Sequence, residues 1–437
     1  MRLPKEILCI FARLTPDQVK TWDTDIKVKL DLFADSDDAD DANDVDGADD
    51  VDDVDGTDDF DNWIGDIDES LEFDYESNIH KRNPNYLPRG RLFGDRDVGP
   101  EMKFISQPHG YPIEDVAAFT FLDYAGSDST VYVHDTGMNL QDPEFQNPIP
   151  LITRGAYRWL TPRASRITGL AGQEIAHPQM WTDSMGHGTC MASKIVGERY
   201  GVAKAANLTI VPYISGSEAD GEDDEDEDED GIEDSFWISY MMAGLQAIVD
   251  DIDDQRKDKN GYFFPVVNLS YTIPKISRKQ TRHYRKCLQT LADLDAVIVG
   301  VAGNQRHKGK QFVSDTLGNM APDFPDNMIL VGATDVHGVP AAFSQRGRSV
   351  QIWAPGTLDR THGIPCAGGL EGKKGTSLSA AQVSGIVAYL YSSHHELRIP
   401  GSGAPKVLEE LKTLMYPRFS GGPPCLWNGA KAKVYCS

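Results

Sequence analysis

From residue 129 onward, short runs of apolar and β-branched residues recur, each followed by a longer stretch with helical spacing. The runs STVYVHD (129–135), LTIVPYI (208–214), FPVVNLS (264–270), DAVIVGVA (295–302) and MILVGAT (328–334) predict strands. Between them GTCMASKIVG, SFWISYMMAGLQAIVDDI and SRKQTRHYRKCLQTLADL predict helices, and TSLSAAQVSGIVAYLYSS predicts a last one. Near-continuous apolar strands separated by helices predict an α/β fold, a mostly parallel sheet sandwiched between helices. In such sheets reacting residues gather beyond the carboxyl ends of the strands. Asp135 closes the first run and is therefore expected there.

The pattern fails in two places, and charge explains both. Asp31 to Glu76 holds 22 acidic residues and no Lys or Arg, and Glu218 to Asp234 holds 13 more, again unopposed. The formal charge of −26 belongs to these tracts, leaving the other residues at +9. Such blocks repel and bury little apolar surface, so 34–99 is expected as a disordered acidic tract followed by a basic linker, with the basic, Pro/Gly-rich and turn-like character running over 77–110. The tract 218–234 is expected as a surface loop between a strand and a helix. DVDG at 44–47 and 53–56 suggests calcium loops. Yet Ala42 and Val51 stand where the first ligand would be, so solvated chain is the better reading. No run of eighteen apolar residues exists, which argues against a membrane span. At the N-terminus ILCIF is too short for a signal peptide. Six cysteines form no metal-ligand spacing, and Cys425 with Cys436 is the expected local pair.

Asp135-Thr136-Gly137 admits two opposed chemistries. As half of a water-activating carboxylate pair it needs a second D-[TS]-G, and Asp315-Thr316 is followed by Leu317. As the partner of a histidine it needs a base and a nucleophile. SMGHGTCMAS puts His187 between glycines at a helix start, where small backbone would leave room for an approaching substrate. GKKGTSLSAAQVSG puts Ser377 at a turn entering a helix, close to amides that favour negative charge. VGVAGNQ puts Asn304, a side-chain amide donor, after a buried strand. Each has a plain alternative: a surface histidine, a helix N-cap serine, a turn asparagine. Together, in the order Asp, His, Asn, Ser at separations of 52, 117 and 73 residues, they are hard to dismiss.

These residues lie in motifs that resemble those of the subtilisin-like serine peptidases, the subtilase family. VYVHDTGMN resembles the aspartate motif, GHGTCMAS the histidine motif, VVNLSY the substrate strand, VAGN the oxyanion motif and GTSLSAAQVSG the serine motif, over residues 100–395. The resemblance implies a seven-stranded, mostly parallel sheet between helices, and peptide-bond hydrolysis. It makes Ser377 the nucleophile, His187 the general base, Asp135 its orienting acid and Asn304 the oxyanion donor. Ser270, Tyr271 and Thr272 would pair with a substrate strand. Two departures stand out: Ala381 replaces the familiar proline, and Thr272 replaces a glycine, which would narrow substrate choice. No cofactor is implied; structural calcium stays open, since the family's calcium sites are not recognisable in these residues. Protein or peptide substrates are expected, with neither nucleic acid nor membrane as partner, and a monomeric state.

Residues 1–33, with FARLTPDQV, resemble part of an inhibitory propeptide. On that reading Lys81-Arg82 or Arg89-Gly-Arg91 offers a maturation cut, the chain is secreted, and 396–437 is a C-terminal tail. The sequons at Asn207 and Asn268 fall in or beside expected strands and are read as accidental. The rival from another class is a catalytically silent binding protein on the same fold.

Overall fold

Seven consecutive buried residues, Ser129–Asp135, form the strand from which the architecture grows. The computed structural model describes residues 92–147, 152–161, 183–213, 231–273, 276–368 and 372–430. Contacts divide the chain into two units, and one of them (1–59 with 164–173) lies wholly outside the described residues. So do the expected propeptide, the first acidic tract, the basic pairs at 81–91, most of the second acidic tract and Cys436.

In chain order the strands are β1 (Leu92–Asp95), β2 (Phe119–Leu122), β3 (Ser129–Asp135), β4 (Tyr157–Trp159), β5 (Asn207–Pro212), β6 (Phe264–Leu269), β7 (Val297–Val301), β8 (Met328–Thr334) and β9 (Val350–Pro355). The helices used below are α1 (Pro100–Ile105), α2 (His187–Val196), α3 (Gly231–Asp258), α4 (Arg278–Asp293), α5 (Thr376–Ser393) and α6 (Gly403–Thr413). Seven strands join in the order β4-β5-β3-β6-β7-β8-β9, every neighbouring pair parallel. β1 and β2 form a separate antiparallel pair. The expected fold class is therefore the observed one.

Period-two alternation along β3 decides which of its residues face α2 and α5. Val131 and Val133 join the apolar cluster made with α2 and α5, and Asp135 is in register with them. Tyr132 and His134 point the other way, where Tyr132 Oη donates to Asp251 of α3 and His134 abuts Gly244 of the same helix. α5 is lined with small residues and runs under β3, β6, β7, β8 and β9 while packing on α2. This brings the starts of the His187 and Ser377 helices to the same edge of the sheet.

Four local expectations change. β7 begins at Val297, two residues after the predicted start, because Asp295 turns the chain at φ 57° and its carboxylate caps α6 at Gly403 and Ala404. α3 starts at Gly231, so Glu233 and Asp234 belong to its first turn rather than to a loop; acidic residues are favoured there. The fold also begins before residue 100, since β1 pairs with β2 and Met102, Phe104 and Ile105 of α1 are fully buried. Nor is 396–430 a tail. Val407, Leu408 and Leu411 of α6 enter the main core, and Leu426 N donates to Trp353 O of β9.

Among the described residues a disulfide joins Cys190 to Cys366, 176 residues apart. Local spacing gave no sign of it. Cys425 is a buried free thiol, and its expected partner Cys436 is outside the described residues. The sequons are occupied by packing: Asn268 Nδ2 donates to Ser270 Oγ and its Oδ1 accepts from Ser384, while Asn207 Oδ1 accepts from Ala156 N.

Candidate active site

Asp135 ends β3 completely buried. Its Oδ1 accepts the Thr136 amide at 2.8 Å and faces His187 Nδ1 at 2.7 Å. Burial raises the carboxyl above its ordinary value, and the charge and hydrogen bond of His187 oppose that rise. His187 is the first residue of α2, its side chain 14 % exposed, so one face of the ring meets Asp135 while the other reaches the surface. The glycines around it serve the protein rather than a substrate. Gly186 adopts φ 74°, and a Cβ there would lie 2.3 Å from Gly368 O; one on Gly188 would lie 2.2 Å from Gly137 O. They let two backbone segments close onto the start of α2.

Asp183 was not singled out by sequence reasoning, yet it ties these parts together. It is buried at φ 46°. Oδ1 accepts Thr136 Oγ1 at 2.7 Å and Gly186 N at 3.1 Å, and Oδ2 accepts Thr189 N at 2.7 Å and the Thr189 hydroxyl. Thr136 Oγ1 in turn accepts Gly188 N at 2.9 Å. One carboxylate thus holds the residue after Asp135 and the first turn of α2 in a single network. The available signal was an acid four residues before a helix-start histidine; its carboxylate takes the Thr189 amide as a cap would, although Gly186 holds the N-cap position.

Ser377 is not the N-cap of α5. Gly375 occupies that position, leaving Ser377 in the first turn with its amide free of helical bonding and its hydroxyl donating to Ser270 O at 3.1 Å. Asn304 is exposed after β7, and its Oδ1 is fixed by Thr376 N (3.0 Å) and Thr376 Oγ1 (2.9 Å). With the oxygen held, Nδ2 is the end left to donate. A Cβ built on Gly375 would sit 3.4 Å from Asn304 Nδ2 and 3.7 Å from Ser377 N. The glycine leaves open a small volume bordered by two N–H donors, a form suited to a developing oxyanion.

The segment after β6 is docked on α5, because Ser270 Oγ donates to Ser377 O at 3.3 Å. Tyr271, expected to line a substrate groove, turns its side chain inward. Its Oη bonds to His134 Nδ1 (2.9 Å) and Tyr284 Oη (3.1 Å), so only its backbone is available to a substrate. Thr272 Cγ2 lies 3.5 Å from the Cβ position of Gly303, beside Asn304. Among the described residues no three or more His, Cys, Asp or Glu side chains are grouped to hold a metal ion, and no helix is long and apolar enough to cross a membrane.

His134, next to Asp135, is enclosed by Tyr213, Tyr271 and Gly244, and burial lowers it to about 3. Between pH 6.5 and 3 the unfolded chain binds a proton there that the native state refuses. Stability should therefore fall as pH drops through that window, by about tenfold in the folding equilibrium per pH unit. Urea unfolding at pH 7 and pH 4.5 measures the slope. His134→Gln should make it shallower by one proton, and an unchanged slope would show that His134 is not the group responsible.

Comparison with known proteins gives the family. Subtilisin-like protease 2 of Trichophyton rubrum is 28 % identical over 275 residues, 63 % of this chain and 52 % of that one. Its counterpart in Arthroderma benhamiae is 28 % identical over 291 residues, 66 % and 56 %. The chain spans about half the length of these curated relatives. The crystal structure of a cold-adapted subtilisin-like serine proteinase covers 77 % of this chain and all of its own at a TM-score of 0.53 and 19 % identity, a likeness of fold. With the subtilase family model matching residues 126–400 around this Asp135–His187 contact and the Ser377 helix, the chain belongs to the subtilase family.

Proposed function

We propose that the chain is a serine endopeptidase that works through an acyl-enzyme with Ser377, His187 and Asp135 as its triad. The observation that carries this reading is the pairing of two arrangements. His187 Nδ1 is held by a buried carboxylate at 2.7 Å, and two N–H donors flank the space beside Ser377. In the reaction the Ser377 hydroxyl leaves Ser270 O by rotation about its side-chain bond. It attacks the scissile carbonyl while His187 Nε2 takes its proton. Asp135 keeps the Nδ1–H tautomer and stabilises the imidazolium. Asn304 Nδ2 and Ser377 N–H receive the oxyanion, His187 returns the proton to the leaving amine, and water then releases the acyl group. The backbone of Ser270, Tyr271 and Thr272 pairs with the substrate as an added strand.

The Asn304 role gives a graded expectation. Asn304→Leu should lower kcat by about 10²–10³ with KM little changed, since the donor acts on charge that exists only in the transition state. An equal loss in KM alone would assign Asn304 to ground-state binding.

A secreted zymogen is part of the same proposal. The Cys190–Cys366 disulfide suits an oxidising compartment. A maturation cut in Lys81–Arg91 would spare β1, which pairs with β2 from Leu92 onward. The deciding experiment is labelling with a fluorophosphonate probe, together with cleavage of a denatured protein. Stoichiometric labelling at Ser377 and proteolysis are expected. A folded protein that neither labels nor cleaves belongs to the rival reading, a silent binding protein on this fold.

A further inference from the structure

Beyond Asn304 lies a cluster of basic residues, four of which have no carboxylate partner among the described residues. Residues 303–314 (GNQRHKGKQFVS) and 341–350 (AAFSQRGRSV) contain Arg306, Lys308, Lys310, Arg346 and Arg348, with His307 among them, and no Asp or Glu. The two loops are fastened together. Phe312 bridges Arg346, Val313 N donates to Arg346 O at 3.1 Å, Arg346 N donates to Gln311 O at 3.0 Å, and Arg306 N donates to Phe343 O at 3.1 Å. They are also fastened to the oxyanion segment, because Gln345 N donates to Gly303 O at 2.9 Å. Arg346 lies over the exposed Phe312 ring, 5.9 Å from its centre.

Among the described residues no carboxylate forms an ion pair with Arg306, Lys310, Arg346 or Arg348. Arg306 is held below its ordinary value by burial and by the charge of Arg346, so the two guanidinium groups repel each other in the resting protein. His307, Lys310 and Arg348 are exposed. A fixed, one-signed surface this close to a reacting centre raises the local concentration of oppositely charged ligand and ranks substrates by charge. Two residues of chain span at most about 7 Å, so Arg306 starts within reach of groups beside the carbonyl that Asn304 would contact.

We infer that the surface formed by Arg306, His307, Lys310, Arg346 and Arg348 selects polypeptide substrates carrying Asp or Glu within a few residues of the scissile bond. The inference rests on the proposed peptidase activity and adds a substrate class to it. An acidic residue there would relieve the repulsion between Arg306 and Arg346 as well as gain its own attraction. The surface therefore discriminates more strongly than isolated exposed charges would.

The test uses two fluorogenic peptides that differ only in Asp/Glu against Asn/Gln at the flanking positions, with the full chain titrated by the fluorophosphonate probe. The acidic peptide should be cleaved about tenfold or more faster in kcat/KM at low salt. That ratio should fall towards one near 0.5 M NaCl, where the screening length is only a few ångströms. Lys310→Gln with Arg348→Gln, both at exposed positions, should cut the low-salt ratio at least about threefold, and Arg348→Glu should cut it further. A ratio at or below one in a protein that labels normally overturns the inference and leaves the peptidase reading standing. A ratio that survives both salt and the double substitution also overturns it, by placing the preference elsewhere. Absence of labelling defeats the peptidase reading and this inference with it.

Discussion

Ser377→Ala is expected to abolish both fluorophosphonate labelling and proteolysis, with kcat falling by on the order of 10⁶. The size follows from the division of labour at the site. Removing the nucleophile leaves His187 with no hydroxyl to activate, so the remaining acceleration comes from binding and the oxyanion donors alone, about 10³–10⁴ over water. The substitution is also a clean one. Ser377 lies in the first turn of α5, where alanine is a good helix former, and the hydroxyl makes a single hydrogen bond, to Ser270 O at 3.1 Å. Its loss should cost about 1 kcal/mol in unfolding free energy. KM should stay close to wild type, because the Ser270–Thr272 backbone is untouched. Retention of even one per cent of wild-type kcat in the folded variant would move the nucleophile to another residue.

Sequence made the sheet legible wherever strands were buried on both faces, because a short, continuous, β-branched apolar run between turn residues seldom folds as anything but a central strand. β3, β6 and β8 were found almost to the residue on that ground. β4 was missed for the opposite reason. It is a three-residue edge strand of half-buried Tyr157, Arg158 and Trp159, held partly by Arg158 pairing with Asp251 and so lacking an apolar signature. β9 was missed because Gln351 interrupts its run; that side chain reaches back to accept from Leu330 N, a use no periodicity reveals. At the site, the motif residues stood out in the sequence because each sits at a strand end or a helix start. What stayed hidden depends on distant partners. The inward turn of Tyr271 requires His134 and Tyr284, and the role of Asp183 requires Thr136, 47 residues earlier. The Cys190–Cys366 bond joins segments 176 residues apart. The glycines beside His187 misled in the same way, since Gly186 and Gly188 make room for Gly368 and Gly137 rather than for a ligand.

The second large effect is expected at Asp135→Asn, with kcat lower by about 10⁴ and the fold intact. The side chain keeps its shape, and its oxygen can still accept the Thr136 amide, now held at 2.8 Å. That oxygen is the one that also faces His187 Nδ1, so the new NH₂ group takes the place of Oδ2, which has no hydrogen-bond partner. His187 then keeps its Nδ1 proton and leaves Nε2 open to the Ser377 proton, but the negative charge that stabilises the imidazolium is gone. The base is then weakened by the loss of charge rather than by tautomer or distance. Stability should not suffer, because the replaced group is a carboxylate whose charged form burial disfavours. The imidazole resonances in an NMR spectrum at neutral pH separate this account from a merely structural one. They should report an Nδ1-protonated ring in both the wild type and Asp135→Asn. A large loss of kcat with the proton moved to Nε2 would mean that Asp135 acts by fixing the tautomer and not through its charge.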